Sequence, residues 1–384
     1  MLICYEFQKI KSTTFKPTFF LKILILYTYN KGLLSRFYQE LSEKLAQDGH
    51  EVSNFYLKHK TAHFEQHGVQ IHGAKRRSSY HNVIAIYNII KRIKPNVVVS
   101  NFSYINPAIL CGKLLGVKHN MAWFHSAYGY TKPSIFKIVN KSLYLNLADL
   151  VLTNSPQLEA EMHSVYKVPK RKTRSIPFWT NIEHYTPAEV PLLEPKPQNT
   201  VNIGCPGRLE FEKNQQIVIE SIYELKHKIA QPIKLYIAGK GSAHSNLKIL
   251  VEQLRLTDEV VFLGALSVNE MVTFYQNMDV VVLPSFHEAF GLVFIEAIAL
   301  GTPVLVSSTF GALDFIDSGQ FDVADFSFDP NSKEALVEKL SDLLQYGVLS
   351  SEFYKQLYSA TFNKQLIYEQ LKSILVGNDH LAKD

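Results

Sequence analysis

Cysteine is scarce in this chain of 384 residues: three occur, Cys4, Cys111 and Cys205, far apart and without a C-x-x-C pair. That argues against a disulfide framework or a thiolate zinc cluster and fits a reducing compartment. Cys111 and Cys205 lie in apolar surroundings, as small core residues do. Long apolar runs are missing as well. Leu21 to Tyr27 and Val97 to Val99 fall well short of the ~20 residues a membrane-spanning helix needs. Glu6, Lys9, Lys11 and Lys16 interrupt any secretory-signal core, so residues 1–20 read as an extension, or a misassigned start, ahead of the first regular element. Gly239-Lys240-Gly241 lacks the third glycine of a dinucleotide fingerprint, which argues against a dehydrogenase. His63-x-Glu65-x-His67 has its glutamate one place out for a zinc-binding H-E-x-x-H helix and reads as a polar loop. No repeat or low-complexity tract is evident.

What is present is the composition of a globular chain, 46% hydrophobic and 20% charged, long enough for two cores. The first half alternates buried strands with amphipathic helices. Lys22 to Tyr27, the strand opening at Gly49-His50-Glu51-Val52, Val97 to Ser100, His119 to Phe124 and Asp149 to Thr153 are the strands. Phe37, Leu41 and Leu45 share a helical face, and Ile84 to Ile93 and Ala108 to Leu115 are helical. This alternation predicts α/β architecture: two Rossmann-like, doubly wound parallel sheets with ligands beyond the strands' C-terminal ends. Four prolines between Thr186 and Pro197 mark a linker. The division is a first domain over 21–187, a linker over 188–197 and a second domain over 198–361. The second sheet ends near Val306, and the segment 362–384 carries an amphipathic helix.

Charge divides the chain too. Residues 1–190 hold 25 Lys and Arg against 11 Asp and Glu, a balance of +14, whereas residues 191–384 hold 15 against 24, a balance of −9. The basic half suits an anionic partner such as a membrane surface or a lipid-linked phosphate, or else a solvated Lys-rich surface.

The most informative stretch runs from Pro284 to Ala297. A buried strand ends at Pro284-Ser285, Gly291 allows close backbone approach, and a helix opens at Leu292. A helix N-terminus behind a parallel strand attracts a phosphate. Glu288 and Glu296 flank it as acceptors for hydroxyl groups on either side of a diphosphate, which describes a nucleotide-sugar. Glu288-x7-Glu296 with Ala297-x-Ala299-x-Gly301-Thr302-Pro303-Val304 resembles the signature of retaining GT-B glycosyltransferases of the GT4 family. So do Gly207-Arg208-Leu209-x3-Lys213-Asn214, Ile237-Ala238-Gly239-Lys240-Gly241 and Val261-Phe262-Leu263-Gly264, in the family's order over the second half.

The resemblance implies a GT-B fold with a central cleft and a C-terminal helix crossing back to the first domain. Arg208 and Lys213 would neutralise the departing diphosphate, with Gly264, Phe290, Gly291 and Leu292 beside the donor, and Gly32 either there or in an ordinary turn. Glu296 would face the ribose and Glu288 the transferred sugar. His125, at a strand end, would meet the sugar or the acceptor, or else cap and pack. Ala289 replaces the family's usual glycine, which bears on which sugar fits. No Asp-x-Asp occurs, so the resemblance implies metal-independent transfer without a cofactor. The expected substrates are a nucleoside diphosphate sugar, with UDP as carrier, and a glycan or lipid-linked glycan acceptor for surface polysaccharide; nucleic acid is not expected. The expected location is cytoplasmic, peripheral on the inner face of the membrane. A nucleotide-sugar epimerase on the same fold and a non-catalytic partner subunit remain alternatives.

Overall fold

The computed structural model describes residues 20–126, 133–347 and 349–377, so Cys4 and most of the expected N-terminal extension lie outside the described residues. The first domain is built on strands β1 (Lys22–Leu26), β2 (Glu51–Lys58), β3 (Ala62–Gln66), β4 (Val69–Lys75), β5 (Val97–Asn101), β6 (His119–Phe124), β7 (Leu150–Thr153) and β8 (Thr173–Ser175). Their order is β3-β4-β2-β1-β5-β6-β7-β8, and every described pair is parallel except β3 with β4. Ile23 to Leu26 are fully buried without alternation, as in a strand covered on both faces. The covering helices are α1 (Leu33–Gln47), α2 (Ser79–Ile93), α3 (Ile105–Leu114), α4 (Ile135–Leu147) and α5 (Pro156–Ser164). α1 buries Phe37, Tyr38, Leu41 and Leu45, and α5 starts where the Ser155 side chain accepts from the Leu158 N–H, with Pro156 at its first turn.

The second domain repeats the plan with β9 (Val201–Pro206), β10 (Ile233–Ala238), β11 (Val260–Gly264), β12 (Val280–Leu283), β13 (Val304–Ser307) and β14 (Ser327–Phe328), in the order β11-β10-β9-β12-β13-β14. Its helices are α6 (Gln215–Lys226), α7 (His244–Gln253), α8 (Val268–Gln276), α9 (Leu292–Ala299), α10 (Lys333–Tyr346) and α11 (Ser351–Thr361). The final helix, α12 (Lys364–Val376), packs on the first domain: Lys364 pairs with Glu40 at 3.0 Å and Lys372 with Asp48 at 2.6 Å. Strand order reverses between β1 and β5 and between β9 and β12, and those switch points are where such sheets bind ligands.

Two expectations need correcting. The polar loop around His63 is an edge strand, β3, joined to β4 by His67-Gly68 with φ of +50° and +77°. A two-residue turn with both φ positive matches the twist of a hairpin, and the His63 ring stacks on His72 of β4 at 4.7 Å. The second sheet does not stop near Val306, because Ser327–Phe328 pairs with β13 as a further parallel strand. That strand is two residues long, too short to leave a periodic signal.

Candidate active site

The C-terminal ends of the two sheets face each other across a cleft of about 450 Å³, lined from the first domain by residues that include Leu34, Phe102, His125, Asn154 and Phe178. From the second domain come Arg208, Lys213, Gln215, Ser285, Glu288 and the run from Ala289 to Val293.

On the second domain the cations stand on a braced loop. Gly239, at φ +149°, lies so close to the preceding loop that an added Cβ would sit 1.7 Å from the Gly207 carbonyl oxygen. The Gly239 N–H donates to the Gly264 carbonyl at 2.7 Å and the Leu209 N–H to that of Lys240 at 3.1 Å. Three sequence motifs thus meet backbone to backbone and fix exposed Arg208 at the cleft rim. Lys213 ends a short 3-10 turn that Asn214 closes at φ +53°, with the Asn214 amide donating to the Pro330 carbonyl at 2.9 Å. The Phe286 N–H donates to the Glu212 carbonyl at 2.9 Å, which joins the two loops. Lys213 and Glu288 consequently form an ion pair with side chains 15% and 20% exposed. Each satisfies the charge of the other.

Gly291 has φ +103°, and an added Cβ would meet the Phe310 ring at 2.3 Å, so the space beside this glycine belongs to Phe310. α9 follows it directly and turns its N-terminus to the cleft. Glu296 lies further along α9, 8% exposed, and its Oε2 accepts from the Tyr275 hydroxyl at 2.9 Å. Burial pushes its pKa up to about 7. Glu296 is not among the residues lining the cleft, nor are Gly32 and Gly264. Gly32 caps α1 with φ −77°, a conformation open to any residue, while Gly264 holds the Gly239 turn from below.

On the first domain His125 is fixed at both ring nitrogens. Nδ1 lies 2.9 Å from Asn154 Oδ1, and Nε2 lies 3.1 Å from the Tyr38 hydroxyl and 3.0 Å from Asn101 Oδ1. A neutral ring with its proton on Nδ1 donates to Asn154; Nε2 is then an acceptor like Asn101 Oδ1, and the single Tyr38 hydroxyl proton serves one or the other of them. Burial lowers the His125 pKa to about 4, which keeps the ring neutral at physiological pH. Its face stacks on Phe178 at 5.7 Å, and Phe178 meets Phe290 of the other domain edge-on at 5.3 Å. Tyr38, Asn101, Asn154 and Phe178 escaped the sequence reading. Asn101 and Asn154 each stand at or just beyond the end of a buried strand, and that position was the available signal.

Arg208, Lys213, Glu288, Phe290, Gly291, Leu292 and His125 therefore share one cleft. Among the described residues no cluster of three or more His, Cys, Asp or Glu is placed to hold a metal ion, and no helix is long and apolar enough to cross a membrane.

Comparison with known proteins agrees with this architecture. The family model for glycosyl transferases group 1 matches residues 194–361, and that for glycosyltransferase family 4 matches residues 34–184. A D-inositol 3-phosphate glycosyltransferase of Corynebacterium jeikeium is 30% identical over 205 residues, covering 50% of this chain and 49% of that one. The chain spans about half the length of the curated relatives it matches. Among solved structures, sucrose-phosphate synthase of Thermosynechococcus elongatus superposes with a TM-score of 0.73 at 20% identity, covering 92% of this chain and 98% of that one. HepE of Anabaena, solved in complex with UDP, superposes with a TM-score of 0.73 at 15% identity, covering 92% and 99%. With both halves matched in order and the two-domain fold shared along the chain, this protein belongs to the group 1, family 4 glycosyltransferases of the GT-B fold.

Proposed function

We propose that the chain is a retaining glycosyltransferase that moves a hexose or N-acetylhexosamine from a nucleoside diphosphate, UDP, to a growing lipid-linked glycan of a surface polysaccharide. The observation that carries this reading is the cleft itself. Two cations, a carboxylate and a helix N-terminus lie on one wall, opposite a neutral, hydrogen-bonded histidine on the other. Arg208, Lys213 and the α9 N-terminus neutralise the diphosphate as it departs, without a metal. Lys213 turns from Glu288 to the phosphate, and the released Glu288 accepts from hydroxyls of the sugar. Glu296, whose Oε2 accepts from Tyr275, is assigned to the ribose hydroxyls. The acceptor oxygen attacks the anomeric carbon on the face the diphosphate leaves. The carbon–oxygen bond to the β-phosphate breaks, and a departing phosphate oxygen takes the acceptor's proton. An epimerase would need acid and base groups beside the sugar, whereas the His125 ring nitrogens face Asn154 and Tyr38. HepE, solved with UDP, supports the choice of nucleotide.

The test is proton NMR of the full chain with UDP-glucose, UDP-galactose or UDP-N-acetylglucosamine, with water as a slow acceptor. One of the three should release UDP and free sugar whose first-formed anomer keeps the α configuration. A β anomer appearing first would exclude retention. No release from any donor, with or without added glycolipid, would remove the transferase reading.

A further inference from the structure

The hairpin of β3 and β4 forms one edge of the first sheet. Beside it, Ile86, Ile89 and Ile90 of α2 pack with Phe55 and Leu57 of β2. Between helix and hairpin opens a cavity of about 530 Å³, with Thr61, His63, His72, Asn88 and Arg92 among its lining residues. Phe55, Ala74, Ala85 and Ile89 add apolar wall, so a few polar groups converge on a mainly apolar space, as they do in ligand sites. None of the residues lining this cavity lines the donor cleft, so the two spaces are separate. Among the described residues, the contact of Arg92 with His72 is the only side-chain hydrogen bond from α2 to the hairpin.

The polar groups are donors without a counter-ion. Arg92 donates from Nη2 to His72 Nδ1 at 3.1 Å, and His63 Nδ1 lies 2.9 Å from the same atom. A guanidinium only donates, so His72 Nδ1 accepts and the neutral ring carries its proton on Nε2. His72 is 8% exposed, and burial, reinforced by Arg92 and His63, lowers its pKa to about 4. Among the described residues no carboxylate pairs with Arg92 or His63. Glu65, two residues along the same face of β3, accepts from Gln70 at 2.6 Å instead. Lys60, next to Thr61 in the chain, adds a further positive charge. The other guanidinium N–H groups, the Asn88 amide and the Thr61 hydroxyl have no partner among the described residues. An arginine that keeps its proton, set against two imidazoles without a carboxylate, attracts an anion and repels a metal cation.

We propose that this cavity is a second ligand site, for a small organic phosphate monoester whose phosphate is held by Arg92, His63, Asn88 and Thr61 and whose body rests on Phe55, Ala85 and Ile89. A phosphate monoester carries about −1.5 to −2 charges and three acceptor oxygens. Arg92 supplies one positive charge, and the bound anion draws a second proton onto exposed His63. A carboxylate, with a single charge, is matched by Arg92 alone and leaves His63 unused. The ligand bridges α2 to the edge hairpin and stays clear of the donor cleft, so this site stands whether or not the transferase reading does.

The test is calorimetric titration of phenyl phosphate, benzoate and inorganic phosphate into the full chain, into Arg92→Met and Arg92→Lys, and into Arg208→Ala/Lys213→Ala, which strips the donor cleft of its cations. Phenyl phosphate should bind the wild type at least about tenfold tighter than benzoate, and tighter than inorganic phosphate, which lacks the apolar body. Arg92→Met should weaken it at least about tenfold, and Arg92→Lys less, because lysine keeps the charge and loses the fork. Both residue-92 variants should keep the wild-type Tm, since Arg92 is exposed. The Arg208→Ala/Lys213→Ala protein should bind phenyl phosphate as the wild type does. Binding that survives Arg92→Met and disappears in Arg208→Ala/Lys213→Ala would place the phosphate in the donor cleft and overturn the second site. No binding of phenyl phosphate, or benzoate bound equally well, would overturn it too. Zinc bound by the wild type and lost in His63→Ala, with phenyl phosphate unbound, would make the histidines a metal pair and contradict the inference.

Discussion

The two walls of the cleft are made of different materials. The second-domain wall carries its chemistry as charge on short, braced loops: Arg208, Lys213 and Glu288, each reachable by solvent. Among the described residues the first-domain wall carries no such ion pair beside its key residue. His125 is neutral and held by Asn154 beside Tyr38 and Asn101, in an aromatic surround of Trp123, Phe102 and Phe178. A wall of charges is suited to a leaving group that becomes more negative, and a neutral wall with fixed dipoles to orienting a hydroxyl. The contrast inverts the overall charge, since the basic half of the chain presents the neutral wall and the acidic half the cationic one.

The largest effect that would sharpen this contrast is on nucleotide affinity. Arg208→Ala/Lys213→Ala should weaken UDP by at least about a hundredfold, since each cation supplies a charge-assisted hydrogen bond. His125→Ala should leave UDP affinity within a fewfold of wild type, and equal losses in the two variants would erase the distinction. Next is the joint that holds the walls in register. Glu40 accepts from Trp179 Nε1 at 2.8 Å and from Asn181 Nδ2 at 2.5 Å, and pairs with Lys364 of α12 at 3.0 Å. Glu40→Ala should cost about 2–4 kcal/mol in denaturant unfolding, because three partners lose a shared acceptor. A loss below about 1 kcal/mol would show that α12 is held by its apolar face alone.

Glu288→Gln separates binding from transfer on the charged wall. Turnover should fall roughly 10–100-fold, while UDP binds as tightly as before or tighter, because Lys213 no longer has a competing carboxylate. Loss of UDP binding would instead make Glu288 a structural brace.

The smallest effect is in pH. His125 has a folded pKa of about 4 against 6.5 unfolded, so the unfolded chain binds the extra proton first and stability is lost as pH falls through that window. Glu296 has a folded pKa of about 7 against 4.5 unfolded, so its contribution is present below pH 4.5 and lost as pH rises towards 7. Thermal unfolding against pH should show the acid-side slope reduced in His125→Gln and the slope of opposite sign reduced in Glu296→Gln, each within its own window. Unchanged slopes would mean that neither group is desolvated as its position implies.

Much of this was legible in the sequence, unevenly. The second-domain wall was readable because each of its parts is a local pattern: a glycine before an arginine, a lysine five residues on, a glutamate before a glycine. Its coupling was not readable, because the Gly239 contact with Gly207 and the Lys213–Glu288 pair join segments far apart in the chain. The first-domain strands showed as apolar runs, and His125 stood out at the end of one. Tyr38 was counted with neither the core nor the site, although it is buried on α1 and its hydroxyl reaches Asn101 at 2.8 Å. Ile135, Val139 and Leu143 of α4, all exposed, were missed for the opposite reason: an exposed apolar stripe and a buried one have the same periodicity.

The most direct measurement is a calorimetric titration of UDP, GDP and ADP into the wild type and into Arg208→Ala/Lys213→Ala. The account expects UDP to bind the wild type tightest and to be lost in the variant. Equal UDP affinity in both proteins, or no nucleotide bound by the wild type, would contradict it.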